Sequence, residues 1–445
     1  MDSTAAIAPA KARSAAPTKA RFRILALVSV AVMINYLDRA VMGVAGPSIQ
    51  HDFSLTPAMM GVLFSAFGWT YFAAQIPSGI ALDRFGARFI YLIAVAGWSA
   101  ATLLHALARG VGGLIGLRLT LGFFEAPCFP ANSSIVGCWF PRREMGMAIG
   151  VYTAAEYVAL GFLSPVLFAV VGQYGWRALF LLSGAAGLLF TLAWWFGYRD
   201  PDHSRSINAA EKALIRDGGA RAASGGQRPF SWALLRQVAG QRQIVGLCLG
   251  QFAVYSTFVF FLTWFPTYLA TARHMGWIKA GVFASLPYLA GFFGILFAGA
   301  LSDAMIRRGL SLNLARKLPV IAGLLLASTI VLANWVNNNA VVIAILSLAF
   351  FAQAMSSSGW AVLSEVAPDG ALGLVGGLFS AAANLASIVV PIVIGLIVQA
   401  TGSFVWAMAF VGAVAALGAF AWIFLIGDLK PIHLGEDLTP IHFGD

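Results

Sequence analysis

The feature that most restricts this chain is a series of about twelve apolar runs, each 18 residues or longer, with charges gathered in the short stretches between them. The runs fall near 24–46, 56–82, 89–108, 111–134, 145–171, 177–198, 243–270, 280–302, 318–336, 339–364, 372–399 and 404–427. About twenty residues coiled as a helix, at ~1.5 Å each, cross the ~30 Å hydrocarbon core of a bilayer. Within hydrocarbon every backbone N–H and C=O has to be satisfied by the protein itself, and runs of this length do so as helices. Composition agrees. Hydrophobic residues make up 60% of the chain and charged residues 10%, where a water-soluble chain carries about a quarter charged. An all-α membrane protein with twelve transmembrane helices is the expected fold. Residues 1–20 are polar and Ala-rich, without the bounded apolar core of a cleavable leader, so the first span is expected to serve as its own signal.

A net charge of +10 invites a nucleic-acid reading, which the placement of the charges excludes. Lys11 to Arg23, Arg84 with Arg88, Arg142 with Arg143, and Arg307, Arg308, Arg316 and Lys317 occupy alternate loops, and the intervening loops are poorer in them. That alternation is the positive-inside pattern. It is expected of a multi-pass membrane protein with both termini cytoplasmic. Cys128, Cys138 and Cys248 have no metal-ligand spacing and sit in apolar context, as buried spectators.

Two segments share one grammar. GIALDRFGAR supplies Gly79, Asp83, Arg84, Gly86 and Arg88 after span two; GALSDAMIRRG supplies Gly299, Asp303, Arg307, Arg308 and Gly309 after span eight. A repeat at matching junctions predicts two pseudo-symmetric six-helix halves. The expected division is a tail at 1–23, a half at 24–198, a cytoplasmic linker at 199–242, a second half at 243–428 and a tail at 429–445. Gly79, Asp83, Arg84, Gly86, Arg88 and Asp303 form the candidate conformational gate.

Charges inside the spans carry the functional reading. LIGLRLTLGFFEAP places Arg118 and Glu125 seven residues apart, on one helix face. An ionised side chain at mid-depth costs about 3 kcal/mol or more unless it faces a cavity or a partner. Span one adds Tyr36, Asp38 and Arg39, at the depth of Arg118 by counting from the cytoplasmic ends, with Glu125 two turns nearer the cytoplasm. A structural Asp38–Arg118 pair locking spans one and four is the competing reading. Span five contains Glu156, read either as a titrating site or as a protonated amide mimic. The second half has no mid-depth charge; it offers Gln251, Tyr255, Gln353, Ser356, Ser357, Ser358, Ser380 and Asn384.

Several segments together resemble one family: NYLDRA at 35–40, FSAFGWTYFAAQIPSG at 64–79, LDRFGAR at 82–88, GLRLTLGFFEAPCFPAN at 116–132 and WFPRRE at 139–144. GQFAVYSTFVFFLTWFPTYL at 250–269 and GGLFSAAANLASIVVP at 376–391 continue the match, which covers residues 20–428. The chain resembles a major facilitator superfamily transporter, and more narrowly the anion:cation symporters that import sugar acids, such as the bacterial galactonate–proton symporters. Glu156 and Ser380 depart from that pattern, which has glutamine and asparagine there. The resemblance implies a monomer in the bacterial inner membrane that needs no cofactor and imports a small organic anion with protons by alternating access. An aldonate or uronate suits the residues. Its carboxylate would meet Arg39 or Arg118, whose guanidinium is a planar fork of donors. Its hydroxyls would meet Tyr36, Tyr71, Glu156, Gln251, Tyr255, Ser356, Ser357, Ser380 and Asn384. Asp38, Glu125 and Glu156 are the candidate proton sites. A symporter of dicarboxylates or aromatic carboxylates is the main alternative, with a proton-driven efflux antiporter behind it. No nucleophile or metal constellation in the spans suggests an enzyme.

Overall fold

The computed structural model describes residues 16–219, 232–368, 371–430 and 432, and among these the regular elements are all helical. The amino-terminal half contains α1 Ala20–Asp52, α2 Pro57–Phe85, α3 Ala87–His105 and α4 Val111–Trp139. A single helical stretch, Arg142–Gly197, follows. Its 56 residues are far too long for one crossing, and Gly175, at φ 78° and ψ 169°, breaks it into α5 at 142–174 and α6 at 176–197. The eleven long apolar helices thus make twelve crossings. Two short helices, α7 Ala209–Asp217 and α8 Trp232–Ala239, belong to the connection. The second half contains α9 Arg242–Thr263, α10 Trp277–Arg307, α11 Leu312–Trp335, α12 Asn339–Trp360, α13 Leu372–Thr401 and α14 Val405–Phe424. Of the expected tails at 1–23 and 429–445, residues 1–15, 431 and 433–445 lie outside the described residues, as do 220–231 of the expected linker.

Gly86 joins α2 to α3 and Gly309 joins α10 to α11, and both have φ of 79°. Positive φ is open to glycine at little cost, so each reversal depends on its glycine. The shared backbone at the two junctions is the sequence repeat seen in three dimensions.

The halves meet through α2 with α13, α5 with α10 and α1 with α9. Contact is tight at the end away from the termini. A Cβ on Gly61 would lie 2.5 Å from the Pro391 carbonyl, and one on Gly172 would lie 2.9 Å from Trp277 Cβ. Ala58 N–H donates to Gln399 Oε1 there at 3.2 Å, tying α2 to α13. Further along the same helices space opens: a Cβ added to Gly79 on α2, Gly150 on α5 or Gly377 on α13 would meet nothing within 4 Å from the rest of the fold. The halves therefore part toward the end that bears the termini.

The linker helix is docked rather than free. Glu211 is fully buried, accepts from Ala20 N at 3.0 Å and Arg21 N at 3.2 Å, and pairs with Arg21 Nη1 at 2.9 Å. Arg21 Nε also pairs with Glu144 at 2.8 Å, and Arg142 N–H donates to the Gly218 carbonyl. One carboxylate thus caps the start of α1, where backbone N–H groups lack helical partners. Burial raises its pKa, but the hydrogen bonds from Thr18, Arg21 and the two backbone amides hold Glu211 below the ordinary glutamate value.

Candidate functional site

Adjacent residues on α1 point about 100° apart, which sends Asp38 and Arg39 into different surroundings. Arg39 turns toward α2, its guanidinium 4.8 Å from the Phe67 and Tyr71 rings and 5.0 Å from Tyr36. Its Nε donates to Glu125 Oε2 at 2.8 Å, and both side chains are buried. Arg118 lies over the other side of the Phe67 environment, 5.2 Å from that ring, and Nη2 donates to the Phe64 carbonyl at 3.4 Å. Arg39 Nη2 and Arg118 Nε have no hydrogen-bond partner among the described residues. Two desolvated cations, Arg39 paired with Glu125 and Arg118 with the Phe64 carbonyl, both beside the Phe67 ring, have donor capacity to spare for an anion.

The depths differ from those counted on the sequence. Span four continues to Trp139 rather than ending near 134. Measured from the end away from the termini, Arg39 is 13 residues below Asp52 and Glu125 is 14 below Val111, while Arg118 is only 7 below Val111. Arg39 and Glu125 are therefore level, with Arg118 about 10 Å higher. The Asp38–Arg118 lock does not form. Asp38 is buried against Thr102 of α3, and neither of its oxygens has a hydrogen-bond partner.

Glu156 on α5 is buried among tyrosines, with Tyr36 and Tyr157 against its carboxyl. The cluster continues into the second half. Tyr255 on α9 meets Tyr36, Ser357 meets Tyr157, and Phe258 and Phe350 pack edge-on to Tyr36 and Tyr157 at 6.0 and 6.1 Å. Gln251 and Asn384 are buried, and Ser380 is half-buried. Ser356 is a correction. Its hydroxyl bonds the Val320 and Ala352 carbonyls at 3.2 and 3.0 Å, so it fills a contact between α11 and α12. At the candidate gate, Asp83 and Asp303 are exposed and make no hydrogen bond among the described residues. Arg84 covers Phe85, and Arg88 lies 4.7 Å from the Trp195 ring.

Sequence reasoning missed Phe67, Tyr157, Glu211 and His105. Phe67 and Tyr157 read as ordinary apolar residues, although Phe64, Phe67 and Tyr71 share helical spacing with one another. His105 is buried at the end of α3.

A profile of the Major Facilitator Superfamily matches residues 28–315. The D-galactonate transporter of Escherichia coli O6:H1 is 41% identical over 94% of this chain and 98% of its own length. The "probable galactarate/D-glucarate transporter" of Bacillus subtilis (strain 168) is 38% identical over 94% of each chain. Among solved structures, a bacterial homologue of the human lysosomal transporter Spinster, inward-facing and unoccupied, superposes with a TM-score of 0.70. It is 19% identical and covers 92% of this chain and 95% of that one, a likeness of fold.

Proposed function

The chain belongs to the major facilitator superfamily and is a multi-span membrane transporter, and from that premise we propose that it imports a sugar acid together with protons. The observation that carries this reading is the buried Arg39–Glu125 pair, level in the membrane and next to the cross-half tyrosine cluster. A substrate carboxylate and the Glu125 carboxylate compete for the same guanidinium. Protonating Glu125 weakens its hold, and Arg39 then presents its fork to the anion. Arg118 supplies a second positive charge one step along the route. Tyr36, Tyr71, Tyr255, Gln251, Ser357, Ser380 and Asn384 offer neutral partners for hydroxyls, while Asp38 and Glu156 are the remaining proton sites.

The names of the relatives support an aldonate or aldarate substrate. A diacid is the second reading, favoured by Arg118, which has no carboxylate partner of its own. In the proposed orientation the open end faces the bacterial cytoplasm, with both termini there, and the monomer cycles without a cofactor. One proton per monoanion moves no net charge; two let the membrane potential contribute about 2.3 kcal/mol per 100 mV. The test is uptake of labelled D-galactonate by proteoliposomes with acid outside, in competition with galactarate, D-glucarate and aromatic acids. Displacement by the sugar acids and dependence on the pH gradient are expected. Uptake indifferent to every sugar acid overturns the substrate reading, and uptake indifferent to the gradient overturns the proton coupling.

A further inference from the structure

We propose that His105 loads protons onto Asp38 through Thr102, along a route inside the amino-terminal half and separate from the substrate route. This rests on the proton-coupled reading above. His105 is the last residue of α3, 1% exposed, with its ring stacked on Phe180 of α6 at 4.9 Å. Nδ1 lies 2.7 Å from the Ala101 carbonyl. A carbonyl only accepts, so Nδ1 carries the hydrogen and Nε2 is left as a bare acceptor. Nε2 has no partner. One turn toward the membrane centre on the same face, Thr102 is also 1% exposed, and its hydroxyl has no partner. Thr102 lies against Asp38, whose two oxygens are likewise buried and unpartnered.

Nearly all buried polar atoms in proteins find a partner. His105 Nε2, the Thr102 hydroxyl one turn away and the Asp38 carboxyl beside Thr102 each lack one among the described residues, and they follow one another in the order base, hydroxyl, carboxylate that a relay needs. A proton taken up at Nε2 makes an imidazolium. Nε2–H then donates to Thr102 Oγ as the threonine passes its own hydrogen to Asp38, which leaves a neutral imidazole, an intact hydroxyl and a neutral carboxyl. Arg39, on the neighbouring face of α1, takes no part. The line is unconnected in this conformation, so it does not leak.

The other groups around His105 are few. Arg118 faces it from α4, and α6 presents the uncharged Phe180. Asp52 and Arg177 lie nearer the surface beyond Trp176, which donates to Asp52 at 2.8 Å and packs 5.9 Å from Phe180.

The test is the initial rate of D-galactonate uptake driven by a pH gradient in proteoliposomes, for wild type, His105→Gln and His105→Ala. The glutamine can occupy the site and still donate to Ala101, but it cannot titrate. Both variants are expected to lose about 100-fold in rate, the scale of a positioned acid–base group. Imidazole in the buffer should restore His105→Ala, and pyrazole, which has the same shape but is a far weaker base, should not. A His105→Gln rate close to wild type overturns the proposal. Equal rescue of His105→Ala by both compounds, or rescue by neither, also overturns it. A wild type that ignores the pH gradient instead refutes the proton-coupled reading itself.

Discussion

Replacing Glu125 by glutamine removes the competitor for Arg39 without changing the shape of the site. In the native pair, Arg39 Nε donates to a Glu125 oxygen at 2.8 Å, with both groups buried, and the bond is charge-assisted whenever that carboxyl is ionised. A hydrogen bond to a charged partner is worth about 1.5–3 kcal/mol, and the neutral bond that a glutamine oxygen can still accept is worth about 1 kcal/mol. The anion therefore has about 0.5–2 kcal/mol less to displace in Glu125→Gln, which is roughly 2- to 30-fold tighter binding. The gain appears at alkaline pH, where the native carboxyl is ionised. At acid pH the two proteins converge, because protonated glutamate and glutamine then offer Arg39 the same kind of acceptor. Titration calorimetry with D-galactonate across the pH range measures both limits, and repeating it in buffers of different ionisation enthalpy counts the protons taken up. Wild type should take up one more proton on binding than Glu125→Gln. The variant should also fail to accumulate substrate against a gradient, since its site no longer reports on pH. Unchanged alkaline affinity with the native pH slope intact would refute the competition between Glu125 and substrate.

Three further outcomes follow from the same geometry. Arg118→Lys keeps the charge and loses the fork that reaches the Phe64 carbonyl, so affinity should fall by about 2 kcal/mol, roughly 30-fold; calorimetry showing native affinity removes Arg118 from the ligand set. Glu156→Gln retains a group that Tyr36 and Tyr157 can meet, so binding at acid pH should be close to native while the loss of affinity on raising pH becomes shallower; superimposable pH curves clear Glu156 of any titrating role. Glu211 is held below the ordinary glutamate value, so its stabilisation is full above that ordinary value and is lost as pH falls through the lowered one. Glu211→Gln should cost about 2 kcal/mol at neutral pH, and the difference in melting temperature from wild type should shrink on acidification; a difference independent of pH refutes the charge-based account.

The spans and the halves were legible because hydrocarbon permits so few solutions. Length, apolarity and the Gly86 and Gly309 reversals were enough to place nearly every helix, including the pair that runs together across Gly175. The mid-membrane charges were legible for the same reason, since Asp38, Arg39, Arg118, Glu125 and Glu156 are expensive in apolar runs. Their pairing was not. Which carboxylate meets Arg39 depends on how far span four extends, and five residues at its far end, Ile135–Trp139, change the register by more than a turn. The direction of a small polar side chain was equally hidden: Ser356 and Ser357 are neighbours, yet one bonds α11 and the other meets Tyr157. α7 lies in the stretch read as a cytoplasmic linker, and nothing there pointed to Glu211, because a carboxylate that caps another helix looks like a surface charge until the helices are docked.

The arrangement also explains why the charge sits in one half. In the proposed cycle the two halves move against each other, and the contacts that cross between them are made and broken. An ion pair divided across that interface would have to be desolvated anew in each turn, at a cost of several kcal/mol per ion. Here Arg39 and Glu125 belong to α1 and α4, and Asp38 with Thr102 and His105 to α1 and α3, all within one body. Proton and anion can therefore exchange on Arg39 without any buried charge losing its surroundings when the halves shift. What crosses the interface next to them is neutral: Tyr36 with Tyr255, and Tyr157 with Ser357. Hydroxyls exchange partners at a cost nearer 1 kcal/mol each, low enough for the movement to be driven by the binding event itself. Glu156 touches both Tyr36 and Tyr157, and so it is placed to sense the charge on Arg39 and, through those tyrosines, the position of the opposite half together.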